Sequence, residues 1–139
     1  MAVALDSDAV IGFLDRGDAL HAAAAERITE LLREGEALVV SVITFVEVLT
    51  GATLGRHDEG AVRGFLEGLV AEIVPVDVEV GRRGAELRGA HRALRLPDAL
   101  ILATAEIHPQ VTRLVSGDRA AARVPDLGCP VELLAPAVR

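Results

Sequence analysis

The stretch Val3-Ala4-Leu5-Asp6-Ser7-Asp8-Ala9-Val10-Ile11 decides the fold class. Its opening apolar run is short and does not alternate with polar residues, the pattern of a strand buried on both faces, as in a parallel sheet. The run stops at Asp6. Ser7 stands where a helix N-cap is expected, because Ala9, Val10, Phe13 and Leu14 follow at helical spacing. A strand that turns into a helix over so few polar residues is the opening of a βαβ unit.

Outward from this stretch the same alternation recurs. Gly17-Asp18 predicts a turn, and residues 21–34 an amphipathic helix. One face of that helix carries Ala24, Ile28, Leu31 and Leu32, the other Glu26, Arg27, Glu30 and Arg33. After Gly35-Glu36, residues 37–40 read as a second strand. Ser41 then caps a helix with Val42, Phe45, Val46 and Leu49 as its apolar face, ending near Gly51 or Gly55. Residues 60–70 read as a helix and 73–76 as a third strand. Asp77 opens an arginine-rich helix reaching about residue 95, and Pro97 takes the favoured first position of another, 98–107. Residues 111–115 give a fourth strand, Gly117-Asp118 and a short helix follow, and 131–134 give a fifth strand. The expectation is an α/β domain with a largely parallel sheet of about five strands flanked by helices.

A chain of 139 residues fits a single domain, 1–139, large enough to hold a core without a disulfide or structural metal. With 51% hydrophobic and 2% aromatic residues, that core is built from Ala, Val and Leu. The single cysteine, Cys129, reads as a small buried hydrophobe. Asp6 and Asp8 interrupt the one candidate leader segment, and no apolar run approaches the roughly 20 residues of a membrane span. A soluble, cytoplasmic protein is expected. The net charge of −7 speaks at first sight against a nucleic-acid partner. All fourteen basic residues are arginine, however, and several acids are candidates for a cation site, so the sign of the charge excludes neither class.

Four acids stand out by position. Asp6 and Asp118 each follow a predicted strand, at the edge where open α/β sheets bind ligands. Asp98 lies in the first turn of a helix, where backbone N–H groups favour negative charge. Glu47 sits among Phe45, Val46, Val48 and Leu49, so its carboxylate is expected in a mostly buried stretch, where it needs a partner or a cation. Oxygen-only ligands select hard ions such as Mg²⁺ or Mn²⁺. The histidines, His21, His57, His91 and His108, have no metal-binding spacing and read as surface or turn residues. Asp8 reads as a helix-start residue, with a place in the acid cluster as the alternative.

Four ordered segments resemble the motifs of PIN-domain proteins, above all the VapC-type toxins of bacterial toxin–antitoxin pairs. They are Leu5-Asp6-Ser7-Asp8-Ala9-Val10-Ile11, the run from Ser41 through Glu47 to Gly51, Leu96-Pro97-Asp98-Ala99-Leu100-Ile101-Leu102-Ala103-Thr104-Ala105, and Val115-Ser116-Gly117-Asp118. The resemblance spans nearly the whole chain. It implies a Rossmann-like PIN fold, Mg²⁺- or Mn²⁺-dependent cleavage of RNA, a homodimer and a cognate antitoxin protein. Asp6 and Asp98 match the acids that bind the metal, Glu47 and Asp118 those that complete the site, and Ser116 the small hydroxyl residue that orients the fourth acid or a water. Gly117 and the alanines after Arg119 depart from the bulkier residues usual around that acid.

Arg88, Arg92 and Arg95 recur at i, i+4 and i+7 on the helix predicted to lead to Asp98, with Arg82 and Arg83 upstream. They form either an RNA-backbone contact or a solvated face paired with Glu79 and Glu86. Three phenylalanines with no Trp or Tyr argue against a base-stacking platform. Two other functions compete. One is a PIN scaffold kept as a non-catalytic dimeric interaction module. The other is a phosphatase, because Asp6-Ser7-Asp8-Ala9-Val10 also resembles the start of haloacid-dehalogenase-type enzymes, with Asp6 as nucleophile. Against the phosphatase, the chain lacks lysine, and Ala122 stands where a later acid pair would need its second member.

Overall fold

In a computed structural model, which describes residues 1–136, the strands form one sheet. The elements are β1 (Ala2–Leu5), α1 (Ser7–Leu14), α2 (His21–Arg33), β2 (Ala37–Ser41), α3 (Val42–Thr53) and α4 (Glu59–Gly68). There follow β3 (Val70–Val74), α5 (Val78–Ala90), α6 (Leu96–Ile107), β4 (Val111–Ser116), α7 (Arg119–Ala122) and β5 (Val131–Leu133). The sheet order is β3-β2-β1-β4-β5 and every pairing is parallel, which gives the expected class a definite topology. Strand β1 is central. The chain builds outward from it on one side through β2 and β3, then returns to its other side with β4 and β5. That reversal opens a crevice beyond the carboxyl ends of β1 and β4.

The sheet has a hydrophobic core on each face. Val3 and Leu5 join Val10, Ile28, Leu31 and Phe65 on one side, while Ala2 and Ala4 join Val39, Leu102 and Leu114 on the other. Successive strand residues point to opposite faces, so a strand with two covered faces must be apolar throughout. The rings of Phe13 and Phe65 lie with centroids 5.4 Å apart and tie α1 to α4. Cys129 is 4% exposed within the second core, as its sequence context predicts. Its neighbour Gly128 donates its N–H to Glu106 Oε2 at 2.8 Å, and the Pro130 carbonyl accepts from Leu114 N–H at 2.9 Å. Arg83 holds the same glutamate, with Nε 2.5 Å from Oε1, so α5, α6 and the approach to β5 are pinned together. No helix among the described residues is long and apolar enough to cross a membrane.

Several local expectations are corrected. The N-cap of α1 is Asp6, not Ser7, which is the first helical residue. The buried face of α3 is Thr44, Val48 and Gly51, whereas Val46 is 53% exposed. Because almost every residue from 42 to 49 is apolar, hydrophobicity could not fix the helix's rotation. Strand β3 begins at Val70, three residues before its predicted start, at the sheet edge. Helix α5 ends at Ala90. A turn closed by Leu94 N–H to the His91 carbonyl separates it from α6, so Arg88, Arg92 and Arg95 do not share a helix face.

Candidate active site

Asp6 leaves the end of β1 into the crevice and is 6% exposed. Its carboxylate is held on both oxygens. Oδ1 accepts the Ala9 N–H at 2.8 Å and so caps α1; Oδ2 accepts the Ser116 hydroxyl and, at 3.3 Å, the Gly117 N–H. Ser116 is fully buried at the end of β4, and its Oγ also accepts the Asp118 N–H at 2.9 Å. Asp118 in turn caps α7 by accepting the Ala120 N–H at 2.9 Å. One hydroxyl thus couples the acids of two neighbouring strands.

Burial pushes the Asp6 carboxyl up to about 7 from its ordinary 3.8. The hydrogen bonds from Ser116 and Ala9 oppose this rise, and the charge of Asp8 adds to it. Asp8 is also raised, first by desolvation and then by Asp98 and Asp118, with Arg95 opposing and Glu47 adding. Crowded acids are expected to hold protons more readily, and these two do. The main cause is loss of water rather than mutual repulsion.

Glu47 projects from α3 and accepts the Ser7 hydroxyl at 2.5 Å. It is half-buried at the edge of a cavity, which corrects the expectation of a carboxylate sunk in an apolar stretch. Asp98, the third residue of α6, is 17% exposed and gripped by Arg95, with Nε 3.0 Å from Oδ2 and Nη2 3.4 Å from Oδ1. Asp6, Asp8, Glu47 and Asp98 line one cavity of about 330 Å³. Asp118 lines a narrower cleft that shares Asp6 and Asp98. The structure therefore gathers all four acids along two adjoining spaces and sets Asp8, a first-turn residue of α1, beside them as its alternative reading has it.

Arg95 also lines the larger cavity, together with Arg56 and His57, two residues the sequence pattern does not place in the site. His57 is not a free surface residue. A Cβ on Gly51 would lie 2.3 Å from its Cδ2, so the ring occupies the space that only a glycine leaves. Its Nδ1 is buried with no hydrogen-bond partner. The signal available in sequence was a glycine inside a helix followed closely by a histidine. Arg88 and Arg92 are exposed and line neither space, and Arg83 is engaged by Glu106 and Glu86.

The donors fit a hard divalent cation in kind, being carboxylate and hydroxyl oxygens. Among the described residues, however, no three His, Cys, Asp or Glu side chains stand close enough to form a ready-made ion cage. Each acid has a partner of its own: Asp98 has Arg95, Glu47 has Ser7 and Asp118 has the start of α7.

Comparison with known proteins agrees with this fold. No curated protein sequence matches the chain. Among solved structures, VapBC2 from Rickettsia felis, bound to a DNA fragment from its promoter, superposes with a TM-score of 0.74 at 17% identity over 97% of this chain and 100% of that one. A toxin–antitoxin complex from Klebsiella pneumoniae gives 0.67 at 25% identity, covering 99% and 100%. VapC20 from Mycobacterium tuberculosis, a sarcin–ricin loop cleaving toxin, gives 0.68 at 15% identity, covering 93% and 99%. The family model of the PIN domain matches residues 3–127, and the chain belongs to the PIN domain family.

Proposed function

We propose that this chain is a Mg²⁺- or Mn²⁺-dependent ribonuclease and the toxin component of a type II toxin–antitoxin pair. The observation that carries the reading is Asp6: a buried carboxylate at the reversal point of a PIN sheet, with Asp8, Glu47, Asp98 and Asp118 around it. The names of the structural neighbours support the toxin assignment and an antitoxin partner. Membership of the PIN family sets aside the phosphatase alternative.

Asp6 and Asp98 would hold the principal ion, with Glu47 and Asp118 completing the oxygen set. Bound there, a divalent ion would lower the pKa of a water and polarise a phosphoryl oxygen. The chain's own residues do the positioning. Ser116 and Ala9 fix the Asp6 carboxylate before any ligand arrives, so that acid needs no reorganisation. Ser7 orients Glu47 toward the cavity. Arg56 and His57 at the cavity lining offer contacts to a ribose-phosphate backbone.

The partners in this reading are RNA, an antitoxin protein and a second copy of the chain. Apolar grooves beside α3, lined by Phe45, Leu49, Leu66 and Ile73 and continuing to Val46 and Leu54, support contacts with protein partners. A second reading, the non-catalytic dimeric scaffold, is favoured by the ion pair that occupies Asp98. RNA cleavage separates the two. Degradation of a single-stranded RNA in Mn²⁺, stopped by chelation and by Asp98→Asn, is the expected result. Failure of the antitoxin-free wild type to cut any RNA in either metal would leave the scaffold standing.

A further inference from the structure

We propose that Arg95 is an exchangeable counter-ion: it occupies the Asp98 carboxylate when metal is absent and turns to the RNA backbone when metal binds. The inference rests on the metal-nuclease reading and adds to it a residue that competes with the ion. Both Asp98 oxygens face the Arg95 guanidinium, at 3.0 and 3.4 Å. The guanidinium lines the same cavity as Asp8, Glu47 and Asp98, so it stands among the acids that would receive the metal.

Three features permit the exchange. The Arg95 side chain is 72% exposed, so it can swing into water with little packing lost. Its backbone is anchored as the N-cap residue of α6, and Pro97 fixes the first turn, so only the side chain has to move. Arg95 lines the cavity itself, which keeps the freed guanidinium at the rim where an RNA phosphate would pass. A divalent ion at Asp98 repels the guanidinium, and a bidentate phosphate contact is the natural replacement for a lost carboxylate.

Calorimetric titration of Mn²⁺ into the RNA-free protein tests the competition. Arg95→Ala and Arg95→Gln should each tighten Mn²⁺ binding about three- to tenfold, less at high salt. The same variants should raise the KM for RNA by a similar factor. Arg92→Ala, which removes an exposed arginine outside the cavity, should change neither quantity. Unchanged or weaker Mn²⁺ binding by both Arg95 variants would overturn the inference while leaving the metal site intact. Tighter Mn²⁺ binding with an unchanged KM would overturn the transfer to substrate. Absence of Mn²⁺ binding in the wild type and the variants alike would overturn the metal-nuclease reading, and this inference with it.

Discussion

Replacing Asp6 by asparagine should flatten the pH dependence of the metal-free protein. In the folded state this carboxyl sits at about 7, against 3.8 for an ordinary aspartate. Between those values the native state binds more protons than the unfolded one. The favourable contribution of the protonated form is therefore complete at low pH and is lost as pH rises through the folded pKa. Over a window from about pH 6 to 8.5, the wild type should lose about 1 to 2 kcal/mol that the variant keeps. The window avoids the isoelectric point near 5.0, where solubility is least.

Asparagine does not titrate, and its oxygen can still cap α1 through Ala9. Its amide costs the buried Ser116 hydroxyl its acceptor and opposes the Gly117 N–H at 3.3 Å, a penalty that lowers stability by the same amount at every pH in the window. Urea unfolding followed by circular dichroism, with a chelator present, gives the two curves. If they run parallel across the window, Asp6 is already ionised in the native protein and the burial argument fails. Mn²⁺ at about a hundred times its Kd should then stabilise the wild type by about 2.7 kcal/mol, and the Asp6→Asn variant much less.

Two other substitutions probe the supports of the site. Ser116→Ala removes the hydroxyl shared by Asp6 and Asp118 and should cost about 1 to 3 kcal/mol in urea unfolding. It should also weaken Mn²⁺ binding measured by calorimetry, because Asp6 loses the donor that favours its charged form. Gly51→Ala drives a methyl group to within 2.3 Å of the His57 ring and should cost about 1 to 3 kcal/mol. An unchanged melting temperature for that variant would mean that the ring moves aside freely.

The parts of this fold legible in sequence are those where burial on two faces leaves one choice of residue. Strands β1 and β2 lie inside the sheet and read as apolar runs, and β4, also inside, is buried over its second half, Leu114 to Ser116. Strand β3 is at the edge, with Ala71, Glu72 and Ile73 exposed, so apolarity did not mark its start. The end of α5 escaped because arginines are compatible with both helix and turn, and Leu94 is buried by the turn itself. Within the site, Asp6 and Asp118 were found by where their strands end, a property of topology that local sequence carries. The neighbours of those acids were not. Arg56 and His57 come to the cavity from the segment between α3 and α4, which no local pattern marks, whereas Asp8 holds both of the places its sequence position offers, in the first turn of α1 and beside the other acids.

Cys129 has a practical consequence for watching this protein open. The chain has no Trp or Tyr, so intrinsic fluorescence reports almost nothing of its folding. The thiol supplies a different clock. It is 4% exposed, and burial together with the charge of Glu106 pushes its pKa up to about 11. An alkylating reagent at neutral pH thus meets neither an accessible sulfur nor an appreciable thiolate fraction. Modification has to wait until Gly128 releases Glu106 and the Pro130 carbonyl releases β4. The labelling rate then counts how often the β5 edge of the sheet comes undone.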